Sequence, residues 1–220
     1  MRSRIVLVVF IAWPLGAAAP QQSARTVSLR LSRIFGDGMV IQRNKPVVVW
    51  GWAAPGSPVS VALHGHTARV VTKPDGKWKA NFPAERAGGP YELAVRSGDD
   101  HLELHDVLVG DMWVASGQSN MEFTLAQALN GTQAIASAHD SLLRQFKVPN
   151  SWADAPEDDL AGGSWAPADP QHAGDFSAVA YFFARDLRTS ERVPIGIVNT
   201  TWGGSNIETW ISRAAQREAA

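Results

Sequence analysis

The chain has 220 residues, with 20 Lys plus Arg against 21 Asp plus Glu, and 45% of its residues are apolar, a composition that excludes disorder as its main state. A net charge of −1 with no basic block leaves no electrostatic footprint for a phosphate backbone, so no nucleic acid partner is expected. The lack of cysteine excludes disulfides, thiol nucleophiles, cysteine-ligated zinc and a lipoprotein anchor.

Arg2 and Arg4 precede an unbroken apolar run from Ile5 to Trp13, and small residues follow at Gly16, Ala17, Ala18 and Ala19. The run is far short of the roughly 20 residues that span a bilayer, so residues 1–18 read as a signal peptide rather than a permanent membrane helix. Export to a periplasmic or extracellular compartment is expected, with no membrane attachment after cleavage. Loss of the two arginines takes the formal charge from −1 to −3, which again suggests no anionic partner.

From Pro46 the chain alternates β-branched or aromatic runs with turn residues, as the 19 Gly and 13 Pro of the chain foreshadow. Pro46 to Trp50 stops at Gly51. Val59, Val61 and Leu63 alternate with Ser60 and Ala62 before His64-Gly65-His66. Val70 and Val71 lead to Pro74-Asp75-Gly76, then Trp78, Ala80 and Phe82 alternate with Lys77, Lys79 and Asn81. Tyr91, Leu93 and Val95 keep the same period, and Leu102 and Leu104 close the series. Period-two burial with evenly spaced turns predicts an antiparallel β-sandwich over residues 27–105. Trp50, Trp52 and Trp78 offer either a sugar-stacking platform or core aromatics, and core burial is the commoner outcome. His64 and His66 flank a turn glycine and lack a third ligand, so no metal site is expected.

After residue 105 the period changes. Asp106 to Ala115 is nearly all apolar, the pattern of a strand buried on both faces of a parallel sheet, and it ends at Ser116-Gly117-Gln118-Ser119-Asn120. Met121, Leu125, Ala128 and Leu129 then share a helical face that stops at Asn130-Gly131. Leu142 to Val148 suggests another strand. Phe176, Val179, Ala180, Phe183, Ala184 and Leu187 recur at helical spacing, Pro194 to Asn199 reads as a buried strand, and Thr201-Trp202-Gly203-Gly204-Ser205-Asn206 leads to a helix start at Ile207. Such alternation builds a parallel sheet over residues 106–220, with ligands at the carboxyl ends of its strands, where both glycine turns fall. Residues 149–175, rich in Pro, Gly, Asp and Ala with Trp152 and Trp165, form a long irregular loop, a kind that usually has a function.

A serine placed after a buried strand and at a helix start has its hydroxyl lifted clear of the sheet, beside free backbone N–H groups suited to an oxyanion. Ser119 holds that position. Met121 stands where the hydrolase elbow G-x-S-x-G needs its last glycine, so an α/β-hydrolase is not indicated. A serine there is usually only a plain N-cap, and Gly203-Gly204 is either a plain turn or a bare N–H for a substrate carbonyl. Two such turns at equivalent strand ends favour function.

Three stretches together resemble bacterial sialate O-acetylesterases: Ile34-Phe35-Gly36-Asp37-Gly38-Met39-Val40-Ile41-Gln42-Arg43, Val114-Ala115-Ser116-Gly117-Gln118-Ser119-Asn120-Met121-Glu122, and the run from Pro194 to Trp210. The resemblance implies a β-sandwich followed by a flavodoxin-like SGNH hydrolase domain that removes acetyl groups from sugar hydroxyls, without a metal or other cofactor. By position it implies Ser119 as nucleophile, the N–H groups of Ser119 and of Gly203 or Gly204 as the oxyanion hole, and Gln118, Asn120 and Trp202 as substrate contacts. The partner is then an O-acetylated carbohydrate.

The sequence departs from that pattern at one point. The resemblance calls for a Gly-x-x-Asn motif and an Asp-x-x-His motif after the glycine pair, and neither occurs before Ala220. Asp169-Pro170-Gln171-His172 spells the second but precedes the glycine turn, and is read as a decoy. A serine hydroxyl needs a base within hydrogen-bond reach. The expectation is therefore an incomplete SGNH domain, the N-terminal portion of an esterase, poorly active alone. Two other readings stand beside it: a carbohydrate-binding module using Trp50, Trp78 or Trp165, and an acetylxylan esterase on the same architecture.

Overall fold

The computed structural model describes residues 28–219, and the leader expected over residues 1–18 lies outside them. Strands β1 (Arg30–Leu31), β3 (Pro46–Trp52) and β6 (Lys77–Ala84) form a three-stranded sheet, separated in the chain by β2 (Val40–Gln42), β4 (Pro58–Leu63) and β5 (His66–Val71). With β7 (Gly88–Ser97), β8 (Asp100–Ala115), β9 (Asp140–Lys147), β10 (Trp165–Ala168) and β11 (Ile195–Asn199), the second sheet runs β10-β9-β11-β8-β7-β4-β5, and β2 pairs with β8. The alternating apolar residues of the first stretch meet in one core: Val47, Val49, Trp78 and Phe82 from one sheet face Val61, Leu63, Leu93 and Val95 from the other. Trp52 and Trp78 are buried there, whereas Trp50 stays partly exposed, edge-on to Phe35. His64 and His66 hydrogen-bond or pair with Glu85, and no cluster of three His, Asp or Glu suited to a metal occurs among the described residues.

Residue 105 separates the two sequence patterns, but the structure places no turn there. A single 16-residue strand, β8, carries the antiparallel sheet into the parallel one. The change of period arises from a bulge: Tyr91 and Leu93 of β7 face Val107 and Leu104, so β8 holds an extra residue, and Asp106 takes φ +57°. An extra residue flips which side chains point inward. Leu102 and Leu104 follow the earlier alternation, and Val107, Leu108 and Val109 are then all buried. The buried Arg144 of β9 grips this bulge, donating to the Asp106 carbonyl at 2.7 Å and to its carboxylate at 2.9 Å. Gly110 lets β8 reach the next element, since a Cβ there would collide with the Pro194 carbonyl that accepts the Asp111 N–H at 2.9 Å.

The helix expected from Met121 to Leu129 is not continuous. Over that stretch only α1 (Ser119–Glu122) and a 3-10 turn at Leu125–Gln127 form; the expected stop at Asn130-Gly131 is instead the start of α2 (Gly131–Ala136), and Leu129 is 90% exposed. Tertiary hydrogen bonds override the helical periodicity: the Leu125 N–H donates to the Phe176 carbonyl, the Ala178 N–H to that of Phe123, and Thr124 bridges to Ser177. The loop expected over residues 149–175 contains β10, antiparallel to β9. Helix α3 (Ala178–Glu191) covers the predicted apolar repeat and is capped by the Ser177 hydroxyl. At Ile207 a four-residue 3-10 turn replaces the expected helix start, and α4 (Arg213–Ala219) follows. Trp113, Val114, Val179 and Phe183 remain exposed beside residues 113–115, which pair with β11 on one side and with no described strand on the other. No described helix is long and apolar enough to cross a membrane.

Candidate active site

Parallel pairing in register decides where the site lies. Asn199 at the end of β11 is level with Ala115 at the end of β8 on one side and with Lys147 at the end of β9 on the other. The chain leaves all three strands at the same height. Beyond them the pairing continues irregularly, with the Thr200 N–H donating to the Ala115 carbonyl and the Trp202 N–H to the Gly117 carbonyl, both at 2.9 Å. Gly117, at φ +136°, makes the bend that permits this. The two glycine turns, more than 80 residues apart in the chain, are thereby stitched together.

Ser119 is the first residue of α1 and not its cap; the cap position is Gln118, which makes no side-chain capping bond. The Ser119 hydroxyl is exposed, and its one described hydrogen bond goes to Gln118 Oε1 at 3.4 Å. A Cβ built on Gly203 would lie 4.0 Å from Ser119 Cα, so the two turns are in contact. Ser119, Gly203 and Gly204 line one cavity of about 570 Å³, together with Glu122, Lys147 and Asn199. Gln118 and Asn120 flank it, exposed and outside the lining. Trp202 faces the adjoining groove, which shares Gly204 with this cavity.

The two glycines differ. The Gly203 N–H donates to Glu122 Oε2 at 2.7 Å, and a Cβ at 203 would strike that carboxylate. Gly204 has φ +74° with open space where a Cβ would stand, and no described hydrogen bond uses its N–H or that of Ser119.

Glu122 and Lys147 line the cavity, and strand and helix patterning does not reveal them. Lys147 Nζ donates to Thr201 Oγ1 at 2.8 Å, the Thr201 carbonyl at 3.1 Å and Asn199 Oδ1 at 3.3 Å, and lies 4.0 Å from Glu122 Oε1. Burial lowers its pKa below the ordinary lysine value, and the Glu122 carboxylate works in the opposite direction. The buried Asn199 side chain also accepts the Thr201 N–H and hydroxyl, and donates to buried Gln145 at 3.3 Å. The ends of β9 and β11 thus each contribute one polar side chain, and the end of β8 its Ala115 carbonyl, to hold the turn that begins at Thr200. Their signals in the sequence are position and motif: Lys147 closes β9, as Asn199 closes the apolar β11, and Glu122 ends the Val114 to Glu122 stretch.

Asp169 and His172 form a hydrogen-bonded pair at 2.7 Å, with Asp169 also accepting the N–H groups of Gln171 and His172. Neither lines the Ser119 cavity, and no described histidine does.

Residues 109–218 match the family described as carbohydrate esterase, sialic acid-specific acetylesterase. The sialate O-acetylesterase of Mus musculus is 31% identical over 207 residues, covering 85% of this chain and 38% of that protein. That of Homo sapiens is 30% identical over 206 residues, covering 84% and 39%. A crystal structure of a carbohydrate acetylesterase from Xanthomonas citri superposes with a TM-score of 0.83 at 49% identity, covering 87% of this chain and 45% of that one. The chain therefore spans less than half the length of these relatives. The family match takes in both glycine turns and half of the 220 residues, and the chain belongs to the sialic acid-specific acetylesterase family of carbohydrate esterases.

Proposed function

We propose that this chain carries the nucleophile turn and the oxyanion turn of a serine-dependent carbohydrate O-acetylesterase, exported by its leader and built on a β-sandwich joined to an SGNH-type sheet. The observation that supports it most is the contact of Ser119 with the Gly203-Gly204 turn across three level strand ends. In the reaction, the Ser119 hydroxyl oxygen attacks the acetyl carbonyl carbon while its proton passes to a base. The carbonyl oxygen, now negative, is stabilised by the free N–H groups of Ser119 and Gly204, with Gly203 held by Glu122. Collapse returns a proton to the departing sugar oxygen and leaves acetyl-Ser119, which water hydrolyses to acetate.

Both transfers need a base; among the described residues no histidine lines the cavity, and of its two acids Glu122 holds the Gly203 N–H while no hydrogen bond from Ser119 to Asp175 is described. Lys147 does not serve: the three hydrogen bonds described for its ammonium run to Asn199 and Thr201, none to Ser119. The 220-residue chain by itself is therefore a slow esterase. Slow deacylation has a useful consequence, because an acetyl-serine formed without a base persists. After incubation with p-nitrophenyl acetate, peptide mass spectrometry is expected to find acetyl on Ser119 and not on the exposed Ser116. Acetylation confined to lysines and the terminal amine would contradict the proposal.

A further inference from the structure

Next to the Ser119 cavity, and joined to it through Gly204, lies a groove of about 940 Å³ between residues 148–153 and 200–216. Three indoles border it. Trp152 is 82% exposed, and Trp202 and Trp210 are each 38% exposed. Large aromatic surface is not left open to water without cost, since each such side chain gains by covering its apolar face. Trp210 is also held in place: its Nε1–H donates to Ser205 Oγ at 2.9 Å, and that hydroxyl donates to the Trp202 carbonyl at 2.7 Å. Between the rings stand amide and hydroxyl side chains, Asn150 and Gln216 among them, and the charged side chains of the lining are one acid, Glu208, and one base, Arg213.

This combination selects a ligand. Sugar rings present an apolar face of C–H groups, which packs on an indole, and a rim of hydroxyls, which pairs with amides and hydroxyls. A balanced pair of opposite charges gives no preference for an anion. The volume lies at the upper end of the range, about 300–1,000 Å³, that encloses drug-sized ligands, so it exceeds the need of a single sugar ring. We infer that the groove is a binding site for a neutral oligosaccharide, which places its acetylated unit at Ser119 and runs past Trp202 onto Trp210 and Trp152. The inference rests on the esterase reading and narrows it: the substrate is an acetyl group on a glycan chain rather than on a free acidic monosaccharide.

The test uses the 220-residue chain carrying Ser119→Ala, so that binding is read without hydrolysis. Calorimetric titration with xylotetraose is expected to show saturable binding that Trp152→Ala and Trp210→Ala each weaken about tenfold, the size of one lost aromatic contact. N-acetylneuraminic acid is expected to bind more weakly than xylotetraose. Trp210→Phe, which keeps a ring at the same place, is expected to recover most of the loss. Xylotetraose binding that is absent, or unchanged in both alanine variants, overturns the inference, as does tighter binding of N-acetylneuraminic acid. Such a result together with acetylation of Ser119 would remove the groove and leave the esterase reading. Tryptophan-dependent binding without that acetylation would do the reverse.

Discussion

Ser119→Ala is expected to bring p-nitrophenyl acetate hydrolysis by the 220-residue chain down to the rate in buffer, from a starting rate that is itself low. The two halves of that expectation have different causes. The starting rate is low because the one hydrogen bond described for the hydroxyl runs to an amide oxygen, Gln118 Oε1 at 3.4 Å, and among the described residues no histidine lines the cavity. It is not zero, because the Ser119 oxygen still attacks the activated acetyl ester with its proton passing to water, beside the free N–H groups of Ser119 and Gly204. Alanine removes the attacking oxygen and leaves the donors in place. A rate that survives Ser119→Ala would show that another group reacts. A fast rate that vanishes with Ser119→Ala would show that some residue here acts as the base.

Glu122→Ala is expected to lower the rate of Ser119 acetylation by about 10- to 100-fold without unfolding the chain. Glu122 lies one helical turn after Ser119 and accepts the Gly203 N–H from 81 residues away, so it fixes the distance between nucleophile and oxyanion turn. Displacement of reacting groups by about 1 Å costs on the order of 10²-fold in well-positioned sites. Its removal also takes the carboxylate at 4.0 Å away from Lys147, which keeps its bonds to Asn199 and Thr201 and so preserves the strand ends. Glu122 is a positioning residue, and Glu122→Gln distinguishes this from a general loss of structure. The glutamine amide oxygen still accepts the Gly203 N–H, and most of the rate is expected to return, with the apparent affinity for p-nitrophenyl acetate unchanged. A glutamine variant as slow as the alanine variant would mean that the charge, and not the tether, matters.

The legible and the illegible parts of this molecule divide by distance along the chain. Alternation at Val59, Val61 and Leu63 or at Trp78, Ala80 and Phe82 states which face is buried, and those residues fill the shared core. The apolar runs Asp106 to Ala115 and Pro194 to Asn199 become neighbouring strands, with Val107 to Val109 and Ile195 to Ile197 buried, but Trp113 and Val114 stay exposed, so the cover expected on both faces of the first run is incomplete. The turns at Ser119 and Gly203 follow from where such runs stop. Local pattern fails where remote backbone intervenes, as at Leu125, whose N–H is taken by Phe176 and ends the expected helix. It fails again at Trp165 to Ala168, a four-residue strand containing Pro167 that forms on an outer position beside β9. The division at residue 105 rests on a change of period, but a bulge at Asp106 and not a break produces it. Glu122 stands within a recognisable motif, yet its partner Gly203 is visible only once the sheet has brought both ends together.

Contact between the two turns is open to direct measurement by nuclear Overhauser spectroscopy on the isotopically labelled chain. A side chain begun on Gly203 would start 4.0 Å from Ser119 Cα, so the Gly203 α proton at that position is predicted to give a cross-peak to the protons of Ser119. With both residues assigned, a spectrum lacking that cross-peak would contradict the convergence on which the esterase reading depends.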